Sequence, residues 1–229
     1  HHYIYSQYLS YSTCRQGSFL WSSYYGGTAD DAGYSLQLNS LNEPIISGGT
    51  ASTDLFTSPS AIHTNSNGLQ DGFVAKYNNT GSNVTSATYI GTSGYDQSYF
   101  VQVDLNDNIY LFGQTEGTYP IFPANIYNNP GSGQFLHKLS PDMSTTLFST
   151  VFGSGSGINI APSAFLVTDC ELIYVSGWGG TVNTIGNTFN MPLSTTNTPY
   201  QSNTDGSDFY IGVFTADLNS LLYSTYFGG

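Results

Sequence analysis

The sequence repeats itself, and the repeat restricts the fold more than any other feature. Trp21-Ser-Ser-Tyr-Tyr-Gly-Gly27 is echoed by Ala87-Thr-Tyr-Ile-Gly91 and by Leu147-Phe-Ser-Thr-Val-Phe-Gly153. The closest echo is Leu222-Tyr-Ser-Thr-Tyr-Phe-Gly-Gly229. The first glycines of these segments, Gly26, Gly91, Gly153 and Gly228, are 65, 62 and 75 residues apart. Other segments keep step. Pro44-Ile-Ile-Ser-Gly48 matches Ile109-Tyr-Leu-Phe-Gly113 and Ile173-Tyr-Val-Ser-Gly177. Asp71-Gly-Phe-Val-Ala-Lys-Tyr77 matches Gly133-Gln-Phe-Leu-His-Lys-Leu139 and Ser207-Asp-Phe-Tyr-Ile-Gly-Val213. Tyr34-Ser-Leu-Gln-Leu38 matches Tyr99-Phe-Val-Gln-Val103.

Each unit therefore holds four short β-type segments. In the first unit they lie at about 33–39, 44–48 and 72–78, with 20–26 as the fourth segment of the adjoining copy. Turn residues separate them, including Asn78-Asn-Thr-Gly81. No stretch carries helical periodicity over three turns. Four antiparallel strands per unit, repeated in series, predicts an all-β chain of β-propeller blades. The divisions fall at 3–26 (half a blade), 27–91, 92–153 and 154–229. Tyr3 to Leu9 and Leu20 to Gly26 are the expected strands of the half blade. About three and a half blades cannot close a ring of the usual four to eight. The expected partners are thus further domains of a longer parent chain, or other subunits.

The recurring set of Tyr-Ser-Thr-Tyr-Phe-Gly-Gly, Asp-Asp-x-Gly-Tyr, Ile-Tyr-Val-Ser-Gly and Asp-Gly-Phe-Val-Ala-Lys resembles the SBBP type of β-propeller repeat. The likeness covers residues 20–229. It departs where the long loops exceed the usual repeat and where the third unit lacks Asp-Asp and Lys. The family is frequent in large secreted proteins of Bacteroidota, many of them gliding-associated or exported by type IX secretion. The resemblance implies a structural or adhesive module, extracellular or at the cell surface, and not an enzyme.

Charge narrows the partners. Lys and Arg total 3 against 15 Asp and Glu, a net charge of −12, so no basic patch exists for phosphate backbones and nucleic acid is not expected. No apolar run reaches the length of a membrane span, so no membrane insertion is expected.

The variable stretches, Thr53 to Gln70, Thr115 to Ser132 and Thr181 to Gly206, all fall between second and third segments. Loops so confined are expected to gather on one face as a binding surface. Trp178, opening the last of them, marks a possible ligand loop for glycans or proteins, since aromatic rings stack on sugars. The competing reading makes it a packing residue.

Asp31 and Asp96 each lie five residues after a repeat glycine, and Lys76 and Lys138 each lie three after a repeat phenylalanine. In the third unit these positions read as Ile158 and Gly212, lost together. A buried ammonium needs a carboxylate, so Asp31–Lys76 and Asp96–Lys138 are expected as structural ion pairs.

Catalytic and metal signals are weak. Gly153-Ser-Gly-Ser-Gly157 has the wrong spacing for a nucleophile elbow. Asp54, Asp71, Glu116, Asp205 and Asp208 lie in or beside the loops, where spacing alone does not separate hydrolase carboxylates from solvated ones. His63 and His137 lack zinc spacing. Asp30-Asp31 beside Gly26-Gly27 offers oxygens of the kind calcium takes, but the repeat accounts for them as a turn, so no cofactor is expected. Cys14 and Cys170 fall in turns three blades apart, too far for a disulfide on this plan. Cys170 is expected as a buried thiol.

Overall fold

The computed structural model describes residues 20–180 and 186–229. It contains twelve strands and, among these residues, no helix. The first sheet comprises β1 (Asp31–Leu38), β2 (Pro44–Thr50), β3 (Asp71–Tyr77) and β4 (Val84–Ile90). The second comprises β5 (Asp96–Val103), β6 (Ile109–Thr115), β7 (Gln134–Leu139) and β8 (Thr146–Phe152). The third comprises β9 (Ala161–Val167), β10 (Ile173–Trp178), β11 (Phe209–Phe214) and β12 (Leu221–Phe227). Each is a four-stranded antiparallel meander in chain order. The strand expected over Tyr3 to Leu9 lies outside the described residues. Residues 20–26 form no strand: Leu20 and Tyr24 are exposed, while Tyr25 packs its ring 5.2 Å from Phe73.

The same local chemistry builds each sheet. The turn from first to second strand opens with a side-chain cap. Asn39 Oδ1 accepts the amides of Leu41 and Glu43, Asp104 Oδ1 those of Asn106 and Asn108, and Thr168 Oγ1 that of Leu172. Its fourth residue takes a left-handed conformation at Asn42, Asp107 and Glu171. Asn and Asp tolerate that conformation best. A bulge in the first strand lets its carbonyl pass close to the second. A Cβ on Gly48 would lie 1.9 Å from the Ala32 oxygen, and one on Gly113 would lie 2.1 Å from that of Gln97. These glycines are required by close approach.

The sheets pack face to face in sequence. Ile45, Val74 and Ile90 of the first meet Val101, Leu111 and Phe135 of the second. Tyr110, Phe112, Leu136 and Phe152 of the second meet Phe165, Val175 and Tyr210 of the third. Full burial of each such side chain contributes roughly 1.5–3 kcal/mol. The turns from third to fourth strand lock these junctions. Met143 and Leu218 sit at their left-handed positions with φ of 62° and 52°, which is unfavourable for such side chains. Both are fully buried. Each carbonyl is gripped by the long loop of the preceding sheet, by Ile62 N at 3.0 Å and Tyr127 N at 2.6 Å.

The backbone of the long loops is drawn onto their own sheets. Each turns back along the outermost strand of its own sheet. Ser58 N donates to Ala87 O of β4, and Tyr89 N to His63 O. Phe122 and Ser149 exchange two backbone bonds at 2.8 Å on β8. Tyr226 N of β12 donates to Gln201 O. A bare outer strand would present unpaired amides and carbonyls, and this demand absorbs the loops.

The register also corrects the third unit. Phe73 pairs with Gly48 and Phe135 with Gly113, but Gly177 pairs with Tyr210 rather than Phe209. The lysine position is therefore Val213, not Gly212.

Candidate functional site: the sheet junctions

Lys138 is buried and Lys76 half-buried, but neither has its expected partner. Asp31 stands opposite Thr50, whereas Lys76 stands opposite Ile45. Five residues along β2 separate them, roughly 16 Å at about 3.3 Å per residue. The same offset separates Asp96, opposite Thr115, from Lys138, opposite Tyr110. The antiparallel meander puts these aspartates and lysines at opposite ends of a sheet.

Each lysine instead reaches the next sheet. Lys76 Nζ donates to Pro141 O at 2.9 Å, with Glu43 3.9 Å away. Lys138 Nζ lies 3.0 Å from Asp104 Oδ2 and 2.8 Å from Glu171 Oε2 of the third sheet. It also sits 4.5 Å above the Tyr110 ring, whose hydroxyl donates to the same Glu171 oxygen. Burial alone would raise the Asp104 carboxyl. Hydrogen bonds from Asn108, Lys138 and the turn amides outweigh it and hold that carboxyl below its usual range. Lys138 and then Tyr110 hold the Glu171 carboxyl down likewise.

The aspartates cap turns. Asp31 Oδ2 accepts Gly27 N at 2.8 Å, with Thr50 and Ser52 hydroxyls also donating. Those donors engage Asp31, while the Asp30 carbonyl accepts Ala51 N at 2.8 Å. Asp96 Oδ2 accepts Thr92 N at 2.7 Å. In the third unit Asn159 does this, accepting Ser154 N at 2.8 Å after a one-residue insertion. Asn159, not Ile158, is thus the equivalent position.

His137 is sealed between Tyr119 Oη at 2.8 Å and Thr146 Oγ1 at 2.9 Å. Burial, with His63 adding to it, pushes its pKa down to about 3. An imidazole whose folded value lies below its unfolded 6.5 contributes stability above pH 6.5 and loses it as pH falls toward 3. We expect stability to fall by up to ~1.4 kcal/mol per pH unit in this window from this group. Urea titrations of the His137→Gln variant should show that slope removed.

The remaining candidates do not converge. Asp54 Oδ1 accepts Thr28 N, Asp205 Oδ1 accepts Ser207 N, and Asp208 meets Gln201 at 3.4 Å. Glu116 is exposed, and Asp71 is sealed at 1% exposure. Among the described residues no three His, Cys, Asp or Glu side chains come together. Trp178 is half-buried at the end of β10, opposite Phe209. Cys170 is exposed in the β9–β10 turn, because that turn projects beyond the sheet; Cys14 lies outside the described residues. A cavity of about 270 Å³ opens where the first turns of the three sheets converge, lined by Asn39, Asp104, Asp107, Thr168 and Asp169. Asp107 is occupied by Ser40, which donates both its amide and hydroxyl. Asp104 is occupied by its own turn and Lys138.

Sequence reasoning found the lysines but missed Asp104, Glu171 and Asn159. The signal for the first two was available. All three first-to-second-strand turns carry carboxylates, and the lysine lies at the end of a strand that runs toward them. No protein-family model matches the chain, and no curated protein is significantly similar to it.

Proposed function

We propose that this chain is a non-catalytic structural segment of a β-propeller-type array whose third sheet receives a further sheet of the same repeat. One observation carries this reading. Ile45, Val74 and Ile90 occupy register positions at which the first sheet buries itself against the second, each at 1% exposure or less. Tyr110, Leu136 and Phe152 do the same for the second sheet. Their counterparts on the third sheet are Tyr174, Ile211 and Phe227, exposed at 37%, 36% and 59%. Phe209 beside them is also exposed. An apolar face of this kind marks an interaction surface, and the two internal junctions supply the pattern of its occupant.

The opposite face offers the complement. Leu36 is exposed where its counterparts Val101 and Phe165 are buried. Among the described residues there is no fourth sheet, so a second copy is the proposed source of the further one. The expected association is therefore head to tail, a heterologous contact. The resemblance to secreted surface repeats supports placing such an array outside the cell, in a structural or adhesive role. Sedimentation velocity should show concentration-dependent association that Ile211→Ser with Phe227→Ser abolishes. A wild-type chain that stays monomeric at high micromolar concentration would count against the reading.

A further inference from the structure

One junction carries two buried carboxylates for which no salt-bridge partner occurs among the described residues. Asp71 and Asp96 are 1% and 0% exposed. They meet across Gly91: a Cβ there would lie 2.5 Å from Asp71 Oδ1 and 3.0 Å from Asp96 Oδ2. Each carboxylate spends Oδ2 on a turn. Asp71 Oδ2 accepts Asn67 N at 2.7 Å, and Asp96 Oδ2 accepts the Thr92 amide and hydroxyl at 2.7 and 2.9 Å. Oδ1 of each has no hydrogen-bond partner among the described residues. Gln97 Oε1 and Ser98 Oγ, on the next two residues of β5, are likewise buried and unpartnered. Their side chains lie against the paired glycines Gly49 and Gly72, beside Asp71.

The second junction is an internal control. There the counterpart of Asp71 is Gly133 and that of Asp96 is Asn159, so neither position is charged. Asn159 is fully engaged, accepting from Ser154 N and donating to Asn187 O. No buried unpartnered side-chain oxygen occurs at that junction among the described residues. Among the described residues the buried unpartnered side-chain oxygens all lie on β2, β3 and β5: besides these four there is Ser47 Oγ, opposite Val74 and three residues along from Asp71.

Two carboxylates removed from water incur a desolvation penalty of several kcal/mol each unless something compensates their charge. Lys76 and Lys138 are engaged at the other end of the sheets. The donors left over are all oxygens, two of them anionic, which is the set that hard cations take. We propose that the junction of the first and second sheets binds a hard divalent cation of the calcium class between Asp71 and Asp96, with Gln97 and Ser98 supplying neutral oxygens. The cation would tie two successive sheets together at the end opposite the lysines. This inference is independent of whether the third sheet recruits a partner.

The test is thermal unfolding of the full chain in chelator and in calcium, alongside terbium luminescence sensitised by tyrosine. Tyr119 and Tyr89 lie close enough to Asp96 and Asp71 to feel their charge. A hundredfold excess of calcium over its Kd should raise Tm by about 5–10 °C. Calcium should displace terbium, and Asp71→Asn and Asp96→Asn should each weaken binding at least about tenfold, a loss of ~1.4 kcal/mol. The exposed Asp142→Asn variant should behave as wild type. The wild-type melting and displacement results stand even if the junction variants fold poorly. Two results would overturn the proposal. One is a Tm indifferent to calcium that rises as pH falls from 7 to 5, the mark of a carboxyl pair sharing a proton. The other is undiminished terbium binding by a folded Asp71→Asn variant.

Discussion

Replacing Lys138 with methionine is expected to destabilise the chain by about 3–5 kcal/mol, the range for breaking a buried ion pair from one side. The size follows from what is left behind. Asp104 is almost wholly buried and Glu171 partly so; Lys138 is the main support of the charged Glu171 and, after Asn108, helps hold Asp104 charged. Methionine fills the same volume and keeps an apolar contact with Tyr110, so the loss reports charge rather than packing. Chemical denaturation at neutral pH measures it. The pH dependence gives a second check. Carboxylates with folded values below their unfolded ones contribute stability above about pH 4 and lose it as pH falls through the folded values. The deficit of Lys138→Met should therefore shrink on acidification. A deficit unchanged from pH 7 to pH 3 would assign it to packing.

Phe112→Ala should be comparably severe, at about 3–5 kcal/mol. The ring is fully buried and lies 5.8 Å from Phe152 in its own sheet and 5.7 Å from Phe165 in the next. Truncation opens a cavity bounded by two sheets, neither of which can collapse alone. In a chain of this length the loss corresponds to a Tm drop of roughly 6–20 °C. Hydrogen exchange should show protection falling in both β6 and β9. If only β6 loosens, the two sheets are less strongly coupled than their packing indicates.

Much of the fold was legible because the repeat fixes what must be equivalent. Four segments per unit placed the strands closely. The errors share a cause: a repeat shows which residues correspond, not which residues touch. Asp31 and Lys76 vary together, yet each serves its own partners at its own end of the sheet. The lysines look forward into the next unit, to Pro141 and Glu171, a contact invisible to comparison within a unit. In the third unit Ser207-Asp-Phe209 imitates Asp71-Gly-Phe73, so the conspicuous phenylalanine was matched, whereas Tyr210 is the buried ring. The insertion before Asn159 hid the capping residue in the same way. The pairing of Asp71 with Asp96 could not be read from sequence, because one closes a sheet and the other opens its neighbour.

The loops that run down the outer strands have a consequence for how such a chain can lengthen. The stretch that shields each sheet's edge is encoded inside that sheet's own unit, between its second and third strands. Duplicating a unit therefore duplicates its shield. Copies can be added or lost in evolution without an intermediate that displays a naked hydrogen-bonding edge, so the hazard of amyloid-like pairing does not grow with copy number.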